Sequence, residues 1–154
     1  MSLSKSATSA SATNGPKQHL VIVSVGSNID AAKNISLSQD ILDRETQLLA
    51  TADTIETKPV GYTQQPNFLN SAYLIATELT YDEFNRYLKS IEDRLKRERG
   101  PIKSGPRTID LDIIIWDGAV LTSDYDHHEY VSIPVNQILS DKQISIQPMS
   151  EVNK

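Results

Sequence analysis

The pattern of hydrophobic and polar positions along this chain of 154 residues predicts a polar N-terminal stretch, followed by strands and helices. The apolar, β-branched run at residues 19–26 predicts a central strand, and a similar run at residues 68–79 predicts another. Between them, apolar residues from Asn34 to Leu49 have the spacing of one helical face, and they include both Leu48 and Leu49. Residues 51–57 indicate a shorter strand with few apolar positions.

A second helix and a last strand are predicted after residue 79. Thr80 and Glu83 have the spacing of a capping box, which favours a helix start at this point. We expect this helix to end at Gly100 and Pro101, where the chain cannot continue a regular helix. A strand is then predicted from Arg107 to Trp116. The apolar positions of the helix fall on one face and are Phe84, Leu88, Ile91 and Leu95.

The order of these elements is strand, helix, strand, strand, helix, strand. This order predicts the α+β fold class and a ferredoxin-like βαββαβ core, in which helices cover one face of a mostly antiparallel sheet. Residues 117–154 have a weaker pattern, and "YVSIPVNQI" and "QISIQPM" indicate short additional strands or loops. Residues 1–18 are rich in Ser, Ala and Thr and are predicted to be a disordered tail. Residues 19–154 are then predicted to form one domain.

The amino-acid composition of the chain argues against several classes of function. The net charge of −5 argues against general nucleic-acid binding, and the absence of cysteine excludes disulfides and thiolate metal sites. No apolar run approaches the roughly 20 residues that a membrane span needs. The first residues lack the apolar centre of a secretory signal, and their only basic residues, Lys5 and Lys17, leave a targeting peptide as the lesser alternative. We therefore expect a cytoplasmic protein without nucleic-acid or membrane partners.

Two aspartates interrupt the last apolar strand. In "GPRTIDLDIIIW", strand alternation directs Asp110 and Asp112 to one face, and directs Ile109, Leu111, Ile113 and Ile115 to the other. Two neighbouring carboxylates repel one another unless a cation lies between them, and carboxylate oxygens are hard ligands suited to Mg²⁺. The alternative is an edge strand with a solvated outer face.

Positive charge is concentrated just before this strand. Such a run is often the solvated face of a helix, but here a loop rich in Gly and Pro joins it to the two aspartates. Arginines beside carboxylates that hold a metal are the arrangement expected for binding polyphosphate. Eight of the fifteen Lys and Arg residues lie in this stretch: Arg86, Lys89, Arg94, Lys96, Arg97, Arg99, Lys103 and Arg107.

The turn after the first strand, "VGSN" at residues 25–28, lacks the glycine pattern of a Walker or Rossmann phosphate loop. Its simplest interpretation is a turn between strand and helix, in which Asn28 or Asp30 helps to cap the helix.

"GPRTIDLDIII" resembles the signature of the 6-hydroxymethyl-7,8-dihydropterin pyrophosphokinase family. Three further stretches resemble that family in the same order and at compatible spacing: "VGSN", "ETKPVGYTQQPNFLNSA" and "IEDRLKRERG". The resemblance spans roughly residues 20 to 116. It implies a ferredoxin-like core and a transferase that moves a pyrophosphoryl group from ATP to the hydroxymethyl oxygen of the pterin, which is a step in folate biosynthesis.

The resemblance also implies roles for individual residues. Asp110 and Asp112 would hold two Mg²⁺ ions between the ATP phosphates. Arg97 and Arg107 would take part in catalysis together with this pair. The residues that would contact the nucleotide are Lys89, Glu92, Arg99, Arg107 and Ile113.

A pterin site follows from the same resemblance. Phe68 would stack on the flat ring, and Asn70 would form hydrogen bonds with its edge, which suits a planar heterocycle. The implied partners are two small molecules, ATP and the pterin, bound by a monomer. The residues that would surround the pterin are Gly26, Thr57, Val60, Phe68, Asn70 and Asp110.

The chain departs from the family pattern towards its end. Val135 stands in the position of a usual His, Ser104 in the position of a usual Trp, and a usual Arg and Phe have no equivalent. His127 and His128 precede Pro134 and are interpreted as part of a solvated loop. These departures leave an alternative open: a divergent paralogue, non-catalytic or with another substrate, that binds nucleotide or pterin. A metal-dependent phosphate hydrolase is less favoured, because no residue is an obvious base for activating water.

Overall fold

The computed structural model describes residues 17–96 and 108–147. Of the tail predicted over residues 1–18, only Lys17 and Gln18 lie within these ranges. The described elements, in chain order, are β1 (His19–Ser27), α1 (Ala31–Glu45), β2 (Gln47–Thr51), β3 (Ile55–Thr57), β4 (Phe68–Thr77), α2 (Tyr81–Arg94), β5 (Asp110–Trp116), β6 (Ala119–Val120), α3 (Asp124–His127) and α4 (Glu129–Lys142).

The six strands within the described ranges form one sheet in the order β2-β4-β1-β5-β6, with β3 also paired to β4. Strand β1 is central and runs antiparallel to both of its neighbours, β4 and β5. Strands β2 and β3 pair with different halves of β4, so that together they take the place of a single edge strand. The arrangement is that of two interlocked βαβ units, and it confirms the predicted α+β, ferredoxin-like core.

Helices cover both faces of the sheet, although the sequence predicted helices on one face only. Helices α1 and α2 pack on the first face, where Val23 of β1 and Leu88 of α2 are fully buried. Helix α4 packs on the second face through Val131, Val135 and Ile138. Within residues 17–96 and 108–147, no helix is long and apolar enough to cross a membrane.

The start of α2 is as predicted, but its end is not. Glu83 N–H donates to Thr80 Oγ1 (3.2 Å), and Thr80 N–H donates to Glu83 Oε1 (2.9 Å), which together complete the capping box. The helix ends at Arg94 rather than at Gly100 and Pro101, which lie outside the described residues.

Leu48 and Leu49 were predicted on the face of the first helix, and this prediction is wrong. The helix ends at Glu45, and both leucines belong to β2, where exposure alternates from one residue to the next. Backbone pairing of β2 with β4 satisfies its polar groups, so tertiary pairing overrides the local helical spacing.

The segment "YVSIPVNQI" was predicted as strand or loop, but it lies in helix α4. Pro134 is inside this helix and lacks the N–H that a helix interior uses, so a helix over this segment carries a local cost. Val131, Pro134, Val135 and Ile138 are nevertheless buried at helical spacing against the sheet. Burial of this face outweighs the local cost of the proline.

A β-bulge changes the orientation of the last residues of β5. The pairing register with β1 shifts between Ile22 and Val23. Ile113 therefore lies in the core of the first face as predicted, whereas Ile115 lies in the core of the second face. The prediction for Ile115 is wrong because strict alternation does not hold across a bulge.

The C-terminal ends of α1 and α2 are joined by an ion pair. Arg94 donates two hydrogen bonds of 2.8 Å to the two carboxylate oxygens of Glu45, and Tyr87 Oη donates another of 2.9 Å. The hydrogen bonds from Arg94, and to a lesser extent the one from Tyr87, lower the pKa of Glu45 from its ordinary 4.5 to about 2.

This shift predicts how the stability of the protein depends on pH. Because the pKa of Glu45 is lower in the folded chain than in the unfolded chain, the pair contributes fully above pH 4.5 and is lost as the pH falls to about 2. Over this window, thermal melts should show a steeper loss of Tm in the wild type than in Glu45→Gln. The double variant Glu45→Gln, Arg94→Gln should be no less stable than either single variant, and additive losses would contradict the pairing.

Candidate active site

A cavity of about 260 Å³ lies on the second face of the sheet, beside helix α4. Alternate residues of three neighbouring strands form its floor, and the segment after β3 and the helices α3 and α4 complete its walls. The described residues that line it are Ser24, Gly26, Thr57, Lys58, Val60, Phe68, Asn70, Asp110, Asp112, Ile114, Asp124, Tyr130 and Val131.

Asp110 and Asp112 lie together on the floor of this cavity, as the alternation of β5 predicted. Their backbone partners on β1 are Gly26 and Ser24. The pKa of Asp112 is raised to about 7. Burial is the largest cause, and the negative charge of Asp110 is the second largest. Asp112 nevertheless keeps half of its side-chain surface accessible and lines the cavity. A second negative charge at this position is thus unfavourable without a cation, and the two carboxylates offer the hard oxygen ligands that suit Mg²⁺.

Lys89 and Glu92 connect helix α2 to the aspartate-bearing strand. Glu92 is fully buried, and its Oε2 accepts hydrogen bonds from the N–H of Leu111 (2.7 Å) and from Lys89 Nζ (3.2 Å). The same Nζ donates to the carbonyl of Leu111 (3.0 Å) and lies 3.4 Å from Asp112 Oδ1. The ammonium group of Lys89 is therefore held next to the carboxylate pair, and Glu92 positions both Lys89 and strand β5.

The opposite side of the floor brings together residues that are suited to a flat ligand. Asn70 is buried, and its Nδ2 donates to Thr57 Oγ1 (2.6 Å), which fixes the orientation of the amide. A Cβ atom on Gly26 would come 3.1 Å from Asn70 Oδ1 and 3.9 Å from Phe68. Glycine at this position thus leaves the space in front of Asn70 and Phe68.

The turn "VGSN" fixes the loops around the cavity. Ser27 Oγ donates to the carbonyl of Thr108 (2.5 Å), next to the start of β5. Asn28 Nδ2 donates to Gln65 Oε1 (2.9 Å) and to the carbonyl of Pro66 (3.0 Å) in the segment before β4. Asp30 occupies the N-cap position of α1, as one of the two predicted alternatives, but its side chain makes no hydrogen bond to the helix.

Several predicted site residues are not in the described cavity. Ile113 packs in the core of the first face, away from the cavity lining. Arg94, which was predicted only as part of the basic stretch, pairs with Glu45 at the C-terminal ends of α1 and α2. The remaining basic residues of the loop, together with Ser104, lie outside the described residues; they are Arg97, Arg99, Lys103 and Arg107.

Six described residues of the lining were missed by the sequence predictions. Ser24 and Ile114 could have been found, because each lies two positions along its strand from a predicted site residue. Val131 follows the helical spacing of α4, which the proline obscured. The remaining residues had no usable signal because they depend on how distant segments meet: Lys58, Asp124 and Tyr130.

Comparison with known proteins identifies the family of this chain. The family model of 7,8-dihydro-6-hydroxymethylpterin-pyrophosphokinase (HPPK) matches residues 22–154. The chain belongs to the HPPK family. The matched region includes the strands that form the cavity floor as well as helix α4, so the weakly patterned C-terminal segment is part of the family domain.

Relatives are found in eukaryotes and bacteria. The chain is 36% identical over 123 residues to the mitochondrial folate synthesis bifunctional protein of Arabidopsis thaliana, covering 79% of this chain and 22% of the relative. It is 27% identical over 135 residues to the folic acid synthesis protein FOL1 of Dictyostelium discoideum, covering 87% of this chain and 20% of the relative.

A bacterial relative is a shorter protein. The 2-amino-4-hydroxy-6-hydroxymethyldihydropteridine pyrophosphokinase of Haemophilus influenzae is 31% identical over 109 residues, which cover 62% of this chain and 64% of that protein. The chain therefore matches about a fifth of the two eukaryotic relatives and less than two thirds of this bacterial one.

The close approach of Asn70 to Gly26 leads to a testable prediction. In Gly26→Ala the new Cβ would press on the Asn70 amide, which Thr57 holds in place, so we expect a loss of about 1–3 kcal/mol in the free energy of unfolding. Urea titration of the variant measures this loss. In an Asn70→Ala background the same substitution should cost less than half as much, and an equal cost would show that the contact with Asn70 is not its cause.

Proposed function

We propose that this chain transfers the pyrophosphoryl group of ATP to the hydroxymethyl oxygen of 6-hydroxymethyl-7,8-dihydropterin, in folate biosynthesis. The acceptor oxygen bonds to the β-phosphorus of ATP and releases its proton to solvent, and the bond from that phosphorus to the bridging oxygen breaks, which leaves AMP. The observation that carries the proposal is the cavity in which the carboxylate pair lies beside the pocket of Gly26, Phe68 and Asn70.

The pocket suits a flat acceptor with polar edges. Phe68 offers an aromatic surface, and the amide of Asn70, held by Thr57, can exchange hydrogen bonds with ring nitrogens and an exocyclic oxygen or amine. Val60, which is exposed at the mouth of the cavity, adds apolar surface to the same side. Gly26 keeps this side open for the ring to lie against the sheet.

Asp110 and Asp112 fit Mg²⁺, because their oxygens share one face of β5, where burial and then the negative charge of Asp110 raise the pKa of Asp112. When bound, Mg²⁺ would neutralise the charge of the ATP phosphates and align them. Lys89 lies beside this pair and can donate to a phosphate oxygen, while Glu92 positions Lys89 from a fully buried site. The number of metal ions, expected to be two, is part of the proposal.

Arginine side chains complete the proposed machinery. Arg97, Arg99 and Arg107 would neutralise the charge that develops on the transferred group, as the resemblance to the family implies. Their place in the chain supports this role, since they fall between helix α2 and strand β5, which carry Lys89 and the two aspartates. A cytoplasmic location remains a prediction, and the relative in Arabidopsis thaliana is named as mitochondrial.

A divergent paralogue that binds its ligands without transferring pyrophosphate is the second candidate. It is favoured by the segment from α3 to α4, which borders the cavity but lacks the His, Arg and Phe of the family pattern.

One assay separates the two candidates. The chain is incubated with Mg·ATP and 6-hydroxymethyl-7,8-dihydropterin, and AMP and the pterin diphosphate are quantified by chromatography. Formation of both products in equal amounts, dependent on the pterin, is the expected result. AMP no higher than in the control without pterin would favour the binding paralogue.

The carboxylate pair supplies the matched variants for this assay. Asp112→Asn and Asp110→Asn should each lower kcat at least about a hundredfold, because each removes a charged ligand from the phosphate site. Asp126→Asn, in the exposed part of α3, should keep the rate of the wild type. Wild-type rates in the Asp110 and Asp112 variants would contradict their proposed role.

A further inference from the structure

One wall of the cavity comes from α3 and α4. Asp124 of α3 and Tyr130 and Val131 of α4 line the cavity, and Val131 is buried against the sheet. Phe68 and Tyr130 are the two aromatic side chains among the described lining residues. They come from separate parts of the chain, Phe68 from strand β4 and Tyr130 from helix α4.

The ring of Tyr130 contacts the ring of His128, which is not among the described residues of the cavity lining. His128 stacks on Tyr130 with ring centroids 4.9 Å apart and planes inclined by 23°. Nε2 of His128 lies 3.9 Å from Oδ1 of Asp124, so the histidine connects two residues of the cavity wall. The side chain of His128 is one third exposed, and that of His127 next to it is exposed. The two histidines, which the sequence placed in one solvated loop, therefore have different surroundings.

We propose that Tyr130 determines acceptor specificity by forming an aromatic wall of the pocket, and that His128 and Asp124 position its ring. The inference rests on the proposed function for the nature of the acceptor, a flat nitrogen heterocycle. Stacking of such a ring on Tyr130 would add to the contact with Phe68. Asp124, at the same wall, can accept a hydrogen bond from an N–H at the edge of the acceptor.

This wall would compensate for family features that the chain lacks. The usual Arg and Phe of the C-terminal segment are absent, and the segment instead presents Tyr130 on a helix packed against the sheet. Tyr130 also packs against the core of the second face, so a purely structural role is the competing explanation. The experiment must therefore separate packing from ligand contact.

Steady-state kinetics of a set of variants can distinguish a packing role of Tyr130 from contact with the ligand. Tyr130→Leu keeps an apolar side chain against the core but removes the ring, and Tyr130→Phe keeps the ring. His128→Ala removes the supporting ring, and His128→Phe replaces it with one that can still stack. His127→Ala is the matched control, since it changes the adjacent exposed histidine.

The expected result is a change in KM confined to the pterin. Tyr130→Leu should raise the KM for the pterin about tenfold, and His128→Ala about threefold, with the KM for ATP and kcat within about twofold of the wild type. Tyr130→Phe and His128→Phe should recover most of this loss, and His127→Ala should match the wild type. A role in packing alone would lower Tm and leave the KM for the pterin unchanged, and this outcome would overturn the proposal.

A direct measurement of pterin binding tests this inference independently of the proposed function. The affinity for 6-hydroxymethylpterin is measured by calorimetry in the presence of Mg²⁺ and a non-hydrolysable ATP analogue, which requires no turnover. If the wild type forms no AMP but the Kd for the pterin rises about tenfold in Tyr130→Leu, the catalytic proposal fails and the wall assignment stands. Equal Kd values in the wild type and Tyr130→Leu, or no binding of the pterin to the wild type, would overturn the assignment.

Discussion

Repulsion between Asp110 and Asp112 is the constraint on which the rest of the site depends. The pair lies on β5, beside the central strand β1, where burial and then the negative charge of Asp110 raise the pKa of Asp112. Lys89 partly offsets this charge, and buried Glu92 holds Lys89 and the backbone of Leu111 in place. Among the charged residues of this network only Glu92 is fully buried, and its carboxylate is satisfied by Lys89 and by the N–H of Leu111, so that removing either partner would be costly.

The two faces of the sheet have different structural roles. The first face carries α1 and α2 and an apolar core that fixes the strands, including the register between β1 and β5. The second face has an apolar core under α4 and, next to it, the cavity with its polar floor. Helix α4 borders this cavity through Tyr130 and Val131, so the C-terminal segment helps to shape it although it carries none of the motifs that resemble the family signature.

Local patterns predicted those features that local chemistry determines. The apolar runs of β1 and β4, the capping box of α2 and the shared face of Asp110 and Asp112 are of this kind. Features that depend on distant partners escaped prediction: the β-bulge that turns Ile115, the pairing that draws Leu48 into a strand, and helix α4, whose Pro134 hides a buried helical face. The wall formed by Tyr130 belongs to this second group, because it exists only where α4 crosses the sheet.

The central claim is that the carboxylate pair holds the cation that carries the nucleotide phosphates. Electron paramagnetic resonance of Mn²⁺, a substitute for Mg²⁺ at oxygen ligands, measures this binding directly in the presence of a non-hydrolysable ATP analogue. We predict that the wild type and Asp126→Asn bind Mn²⁺ in the complex with equal affinity, and that Asp112→Asn weakens binding at least about tenfold. Equal Mn²⁺ affinity in Asp112→Asn and in the wild type would contradict the account.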